Sequence, residues 1–100
     1  MGLKIAVEQK KIVEFCRRHR IQRLSFFGSV LRDDFRPSSD VDVLVEFRPG
    51  STPGFIRLAG MELELSDILR QKADLRTPAE LSRYFRDEVL QTAVNQYAER

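Results

Sequence analysis

The chain predicts a small α/β (α+β) domain, a sheet of a few strands flanked by helices around one core. Three observations predict it. Stretches of helical periodicity alternate with stretches of strand periodicity along the chain. One stretch, Val41 to Phe47, places Val41, Val43, Val45 and Phe47 at every second position, the pattern of a strand with one face in a core. The 100 residues fit a single domain spanning 1–100, and their 42% apolar fraction can build one core without disulfides or a structural metal.

The elements follow in order. From about Val7 to His19, Ile12, Phe15, Cys16 and His19 share a face at three- and four-residue spacing with charges between them, so a helix is expected. Gln22 to Phe27 reads as a short strand, Leu24 and Phe26 on one side, Ser25 and Phe27 on the other. Gly28 ends it, and Ser29 opens a short helical segment to about Asp33. Phe35 to Ser39 is a loop broken by Pro37. Along Val41 to Phe47 the face opposite the valines carries Asp40, Asp42, Leu44 and Glu46. Pro49 to Gly54 is a second loop. A helix is predicted from about Phe55 to Gln71, striped with Leu58, Met61, Leu65, Ile68 and Leu69, then a third strand from Lys72 to Arg76. Thr77-Pro78-Ala79-Glu80 has the form of a capping box with proline at the first helical position. The last segment, about Ser82 to Ala98, is predicted helical throughout. Its Phe85, Val89, Leu90, Ala93, Val94 and Tyr97 suit either the core or a partner.

Composition narrows the function classes. Seventeen basic and 15 acidic residues leave a net charge of +2, without the strong basic bias of a nucleic-acid-binding surface. Arg17, Arg18 and Arg20, with Lys10 and Lys11 upstream, suit a solvated helix face and its last turn better than an RNA contact. No apolar run is long enough to span a bilayer, and Met1-Gly2-Leu3-Lys4 lacks a signal-peptide layout. Cys16, the lone cysteine, fits a reducing compartment, so a cytoplasmic protein is expected. Cys16 on an apolar face reads as core, and His19, the only histidine, as a helix-end cap, so neither supplies a nucleophile or triad.

The chemistry concentrates in Gly28-Ser29, ten residues, and then Asp40-Val41-Asp42. Residues i and i+2 on a strand lie on one face about 7 Å apart. Two such carboxylates suit Mg²⁺, a hard cation that takes a few oxygen ligands and completes its shell with water and phosphate. Asp42 sits within an apolar run, where a carboxylate is costly without a purpose. Glycine lets backbone approach a phosphate closely, and Ser29 adds a hydroxyl and the open N–H groups of a helical turn, although the pair is also an ordinary N-cap. Asp74 is the candidate third acid, as ligand or general base, the alternative being a salt bridge with Arg76 or Lys72. Arg32 and Arg36 are placed to neutralise a triphosphate or to serve solubility alone. Ser39 is read as a cap, and Asp33 and Asp34 as surface loop residues without a role.

Phe26-Phe27-Gly28-Ser29-Val30-Leu31-Arg32, followed by Ser39-Asp40-Val41-Asp42-Val43-Leu44-Val45, resembles the signature of the DNA polymerase β-like nucleotidyltransferases. More closely, the chain is similar to the minimal nucleotidyltransferases (MNT proteins) of prokaryotic HEPN–MNT toxin–antitoxin pairs. Lys72 to Pro78 and Tyr84 to Leu90 share that likeness, which runs nearly end to end. The resemblance implies a mixed sheet flanked by helices. It also implies a triphosphate held by Gly28 and Ser29, with Arg32 in its usual position, and Mg²⁺ bound by Asp40 and Asp42, with Asp74 completing the acidic triad. It further implies transfer of AMP from ATP to a tyrosine of a partner HEPN ribonuclease, silencing that toxin within a hetero-oligomer. Two alternatives stand beside it: an antitoxin that neutralises by contact alone, and the catalytic subunit of a transferase for a small molecule such as an aminoglycoside.

Overall fold

Val41–Phe47 forms β2, the strand to which the rest of the domain is attached on both sides. The computed structural model describes residues 8–28, 40–81 and 83–98, with the side chains of 83–85 outside that description. Along the chain come α1 (Gln9–Arg18), β1 (Ile21–Phe27), β2, α2 (Phe55–Leu69), β3 (Ala73–Arg76), a 3-10 turn (Pro78–Glu80), α3 (Arg83–Thr92) and β4 (Val94–Ala98). The expected short helix after Ser29 and the loop from Phe35 to Ser39 lie outside the described residues.

The sheet runs β3-β2-β1-β4. β1 is antiparallel to β2 and to β4, whereas β2 and β3 are parallel, so the sheet is mixed. A parallel neighbour needs a crossover, and α2 supplies it. Alternation along β2 then divides the molecule. Val41, Val43, Val45 and Phe47 face a core that receives Ile12, Phe15 and Cys16 from α1 and Met61, Leu65 and Leu69 from α2. Leu24 and Phe26 of β1 join this side, as their parity predicts. On the opposite face Phe27 and Leu44 pack with Leu81, Val89 and Ala93 in a smaller cluster beneath α3. Cys16 is wholly buried, and burial pushes its thiol pKa up to about 12, in keeping with a packing role.

Local chemistry sets the element ends. α2 stops at Leu69 rather than near Gln71 because Arg70 turns into the left-handed region (φ 57°) and the Gln71 N–H reaches back to the Ser66 carbonyl. The capping box forms: Glu80 Oε1 accepts from the Thr77 N–H at 2.8 Å and from its hydroxyl at 3.2 Å, with Pro78 at the first position. It caps a single 3-10 turn; α3 begins after it.

The single long C-terminal helix is incorrect. α3 ends at Thr92, and Val94–Ala98 is a strand paired with β1, Leu24 opposite Tyr97 and Phe26 opposite Val94. The i, i+3, i+4 spacing of Val89, Leu90, Ala93, Val94 and Tyr97 reads as helix, but tertiary pairing overrides it. The edge of β1 offers backbone partners, and β4 lets Tyr97 pack against the main core. Leu90 and Val94 stay largely exposed.

Candidate functional site

The site is assembled where three strands run side by side. Asp42 of β2 is in register with Phe27 of β1 on one side and with Asp74 of β3 on the other. Adjacent strands lie about 4.8 Å apart, so Asp42 and Asp74 are immediate neighbours across the parallel pair. Asp40, two residues before Asp42, stands at the mouth of the strand, where the Val41 N–H donates to the Lys72 carbonyl at 2.8 Å. Asp42 and Asp74 are half-buried and Asp40 is exposed.

Gly28 closes the site from the β1 side. Its φ is +73°, in the region that favours glycine, and it follows the strand residue paired with Asp42. A Cβ built at Gly28 would lie 2.3 Å from Asp42 Oδ2 and 3.2 Å from its Cγ. The bare backbone is therefore pressed against the carboxylate. A glycine at this position suits close approach of a phosphate, and the neighbour in the structure is the Asp42 carboxylate.

Cations are interleaved with the acids. Arg76 Nη2 donates to Asp74 Oδ2 at 3.0 Å, which realises the alternative reading of Asp74 without removing it from the site. Lys72 Nζ lies 4.0 Å from Asp40 Oδ2. The alternation of Lys72, Asp74 and Arg76 along the third strand is the sequence signal for this contact. Glu46, on the same face of β2, pairs instead with Arg23 at 3.8 Å near the far end of the strand. Ser29, Arg32, Asp33, Asp34, Arg36 and Ser39 lie outside the described residues.

His19 is taken up elsewhere. Its Nε2 lies 2.9 Å from Glu64 Oε1, its ring packs against Phe15, and Arg18 binds the other Glu64 oxygen. Burial alone would raise the Glu64 pKa, but hydrogen bonds and charge from His19 and Arg18 outweigh it and hold the carboxyl below its ordinary value. The pair ties the end of α1 to α2 and is remote from the acids.

Among the described residues, no group of three His, Cys, Asp or Glu side chains is gathered in a way that could hold a metal. The donor set fits a more open arrangement. Mg²⁺ commonly takes one or two carboxylates and leaves its remaining positions to water and substrate phosphates. Asp40 and Asp42 offer hard oxygens at an open strand mouth. A cleft of about 230 Å³ lies elsewhere, lined in part by Thr52, Phe55, Leu58, Thr77 and Glu80 and by none of the three acids.

A domain family described as the nucleotidyltransferase domain matches residues 9–95. The chain belongs to this family. A candidate protein adenylyltransferase of Methanocaldococcus jannaschii, MJ0435, is 31% identical over 87 residues, covering 87% of this chain and 91% of that protein. A second from the same organism, MJ0128, is 35% identical over 68% of this chain and 65% of its own length. Among solved structures, a minimal nucleotidyltransferase superposes with a TM-score of 0.71 at 32% identity, covering 86% of each chain. A toxin–antitoxin structure with AMP-PNP has a TM-score of 0.75 at 20% identity, over 94% of this chain and 76% of that one. A Shewanella oneidensis complex of a tri-AMPylated HEPN toxin with its MNT antitoxin reaches 0.66 at 21% identity, over 90% and 69%. At these identities the last two show the fold. The nucleotidyltransferase fold expected from the motif, a mixed sheet flanked by helices, is the fold observed.

Proposed function

We propose that this nucleotidyltransferase domain uses Mg²⁺ and ATP to attach AMP to a tyrosine hydroxyl of a partner HEPN-type ribonuclease, acting as its antitoxin. The observation that carries the reading is the register Phe27–Asp42–Asp74 with the Gly28 backbone against the Asp42 carboxylate. It places two acids side by side next to a turn stripped of side-chain bulk. The names of the M. jannaschii relatives support adenylyl transfer to protein. The AMP-PNP and AMPylated-toxin complexes, whose fold this chain shares, support nucleotide and partner.

Asp40 and Asp42 would hold Mg²⁺, with Asp74 completing the acidic set. Bound there, the metal would act as a Lewis acid on the phosphates and offset the charge of the departing pyrophosphate. The chain's own groups do the rest. Backbone at Gly28, together with Ser29 and Arg32, would contact the triphosphate at the end of β1. Asp74 receives or orients the proton of the acceptor hydroxyl as its oxygen forms the new bond to the α-phosphorus and pyrophosphate leaves. Arg76, which donates to Asp74 Oδ2, holds that carboxylate turned to one side.

The test is to incubate the protein with MgATP and the product of its adjacent gene and to read intact masses. AMP-sized additions on a tyrosine of the partner, lost with Asp42→Asn, are expected. Suppression of toxicity by Asp42→Asn with no additions would leave neutralisation by contact. Additions to an aminoglycoside but not to the partner would make the domain a small-molecule transferase.

A further inference from the structure

Lys72, Asp74 and Arg76 share one parity along β3 and the residue just before it, with a cation on each side of the acid. The two cations hold their partners differently. Arg76 Nη2 donates to Asp74 Oδ2 at 3.0 Å, a directed, charge-assisted bond to a side chain 28% exposed. Lys72 Nζ stands 4.0 Å from Asp40 Oδ2, beyond hydrogen-bond reach, on a side chain 77% exposed. Register explains why Arg76 turns to its own strand. It lies opposite Leu44, which is buried in the cluster beneath α3, so β2 offers it no carboxylate at that position. Asp74 lies opposite Asp42, and like charges directly across a strand pair disfavour each other unless a cation attends one of them. Among the described residues the three acids are not gathered into one group that could hold a metal.

We infer that Arg76 withholds Asp74 from the metal, so that the chain by itself takes one divalent ion on Asp40 and Asp42 while Asp74 is kept for the acceptor hydroxyl. This division rests on the metal-binding reading proposed above and narrows it, from a triad to two acids and one. Arg76 is a positioning residue that acts through Asp74. Its planar fork holds one carboxylate oxygen in a fixed direction, which a lysine ammonium does not. Lys72, exposed and without a hydrogen bond to Asp40, yields that carboxylate to a divalent ion at little cost.

The test is titration of the full chain with Mn²⁺ alone, read by electron paramagnetic resonance, which counts free ions and needs neither nucleotide nor acceptor. It is run in about 0.5 M KCl, so that charges not in contact with the ion are screened. The wild-type chain should bind a single Mn²⁺. Asp40→Asn and Asp42→Asn should each weaken binding by roughly tenfold or more, whereas Asp74→Asn should change it by less than about threefold. Arg76→Met should tighten binding by about two- to five-fold, what an ion pair this exposed is worth, because Asp74 becomes available beside Asp42. Adding Asp74→Asn to Arg76→Met should remove that gain, and Arg76→Lys, which restores a cation, should undo most of it. The substituted positions are half-buried or exposed, and melting curves check that each variant is folded. Two Mn²⁺ on the wild-type chain would overturn the inference while leaving metal binding intact. So would a loss in Asp74→Asn equal to that in Asp42→Asn, or an Arg76→Met variant no tighter than wild type. A wild-type chain that binds no Mn²⁺ would overturn the metal reading and this division with it.

Discussion

Replacing Gly28 with alanine separates two costs that the structure imposes at one residue. The first is conformational. At φ +73° an alanine pays the left-handed penalty, roughly 1–2 kcal/mol. For a domain of this size that lowers the melting temperature by about 5–15 °C. The second is local to the site. The new Cβ would sit 2.3 Å from Asp42 Oδ2, where ordinary contact begins at 3.4 Å, so the carboxylate must retreat by about 1 Å. A shift of that size in a reacting group is worth on the order of a hundredfold in rate. Gly50 supplies the control: its φ is +78°, yet a Cβ there meets nothing within 4 Å. Gly50→Ala should therefore lose similar stability and keep its activity. The assays are calorimetry, Mn²⁺ affinity as a readout needing no acceptor, and transfer of radiolabelled AMP to the partner. Gly28→Ala should lose metal affinity and transfer together, beyond anything seen in Gly50→Ala. If both variants bind Mn²⁺ and transfer AMP within twofold of each other, the close approach of Gly28 to Asp42 has no bearing on function and the site reasoning fails.

Further expectations concern the edges and helices. Glu62 Oε2 accepts from the Leu75 N–H at 2.8 Å and Ser66 Oγ from the Ala73 N–H at 2.9 Å, so α2 seals the outer edge of β3. Glu62→Ala should cost about 1–3 kcal/mol in urea denaturation and increase light scattering on heating, since it bares an edge strand. Glu64→Gln should cost about 0.5–1 kcal/mol at neutral pH. Because the folded Glu64 pKa is lowered, this stabilisation is complete above its ordinary value of 4.5 and disappears as pH falls through the folded value, so the wild-type and variant curves should converge in acid. Cys16 should resist thiol reagents in the native protein and react once denaturant is added; rapid native labelling would contradict its burial.

Much of the fold was legible locally. The valine alternation named β2 to the residue, because one face of that strand is core from end to end. The acids were legible as well, since Asp42 interrupts an apolar run and Asp74 repeats the pattern one strand later. What local pattern could not carry was pairing. The spacing of Val89, Ala93, Val94 and Tyr97 is compatible with a helix. Only the vacant side of β1, seen once the sheet is assembled, makes Val94–Ala98 a strand.

The sequence by itself determined the chemistry on offer: a glycine turn and carboxylates at fixed offsets, on elements whose periodicity is a property of the chain alone. Tertiary structure decided the neighbours. It set Gly28 against the Asp42 carboxylate, gave Asp74 to Arg76 and Asp40 to Lys72, and left Ile56 and Leu63 of α2 exposed among the described residues. These depend on strand register and on which surfaces the fold covers, and both are fixed only when distant segments meet.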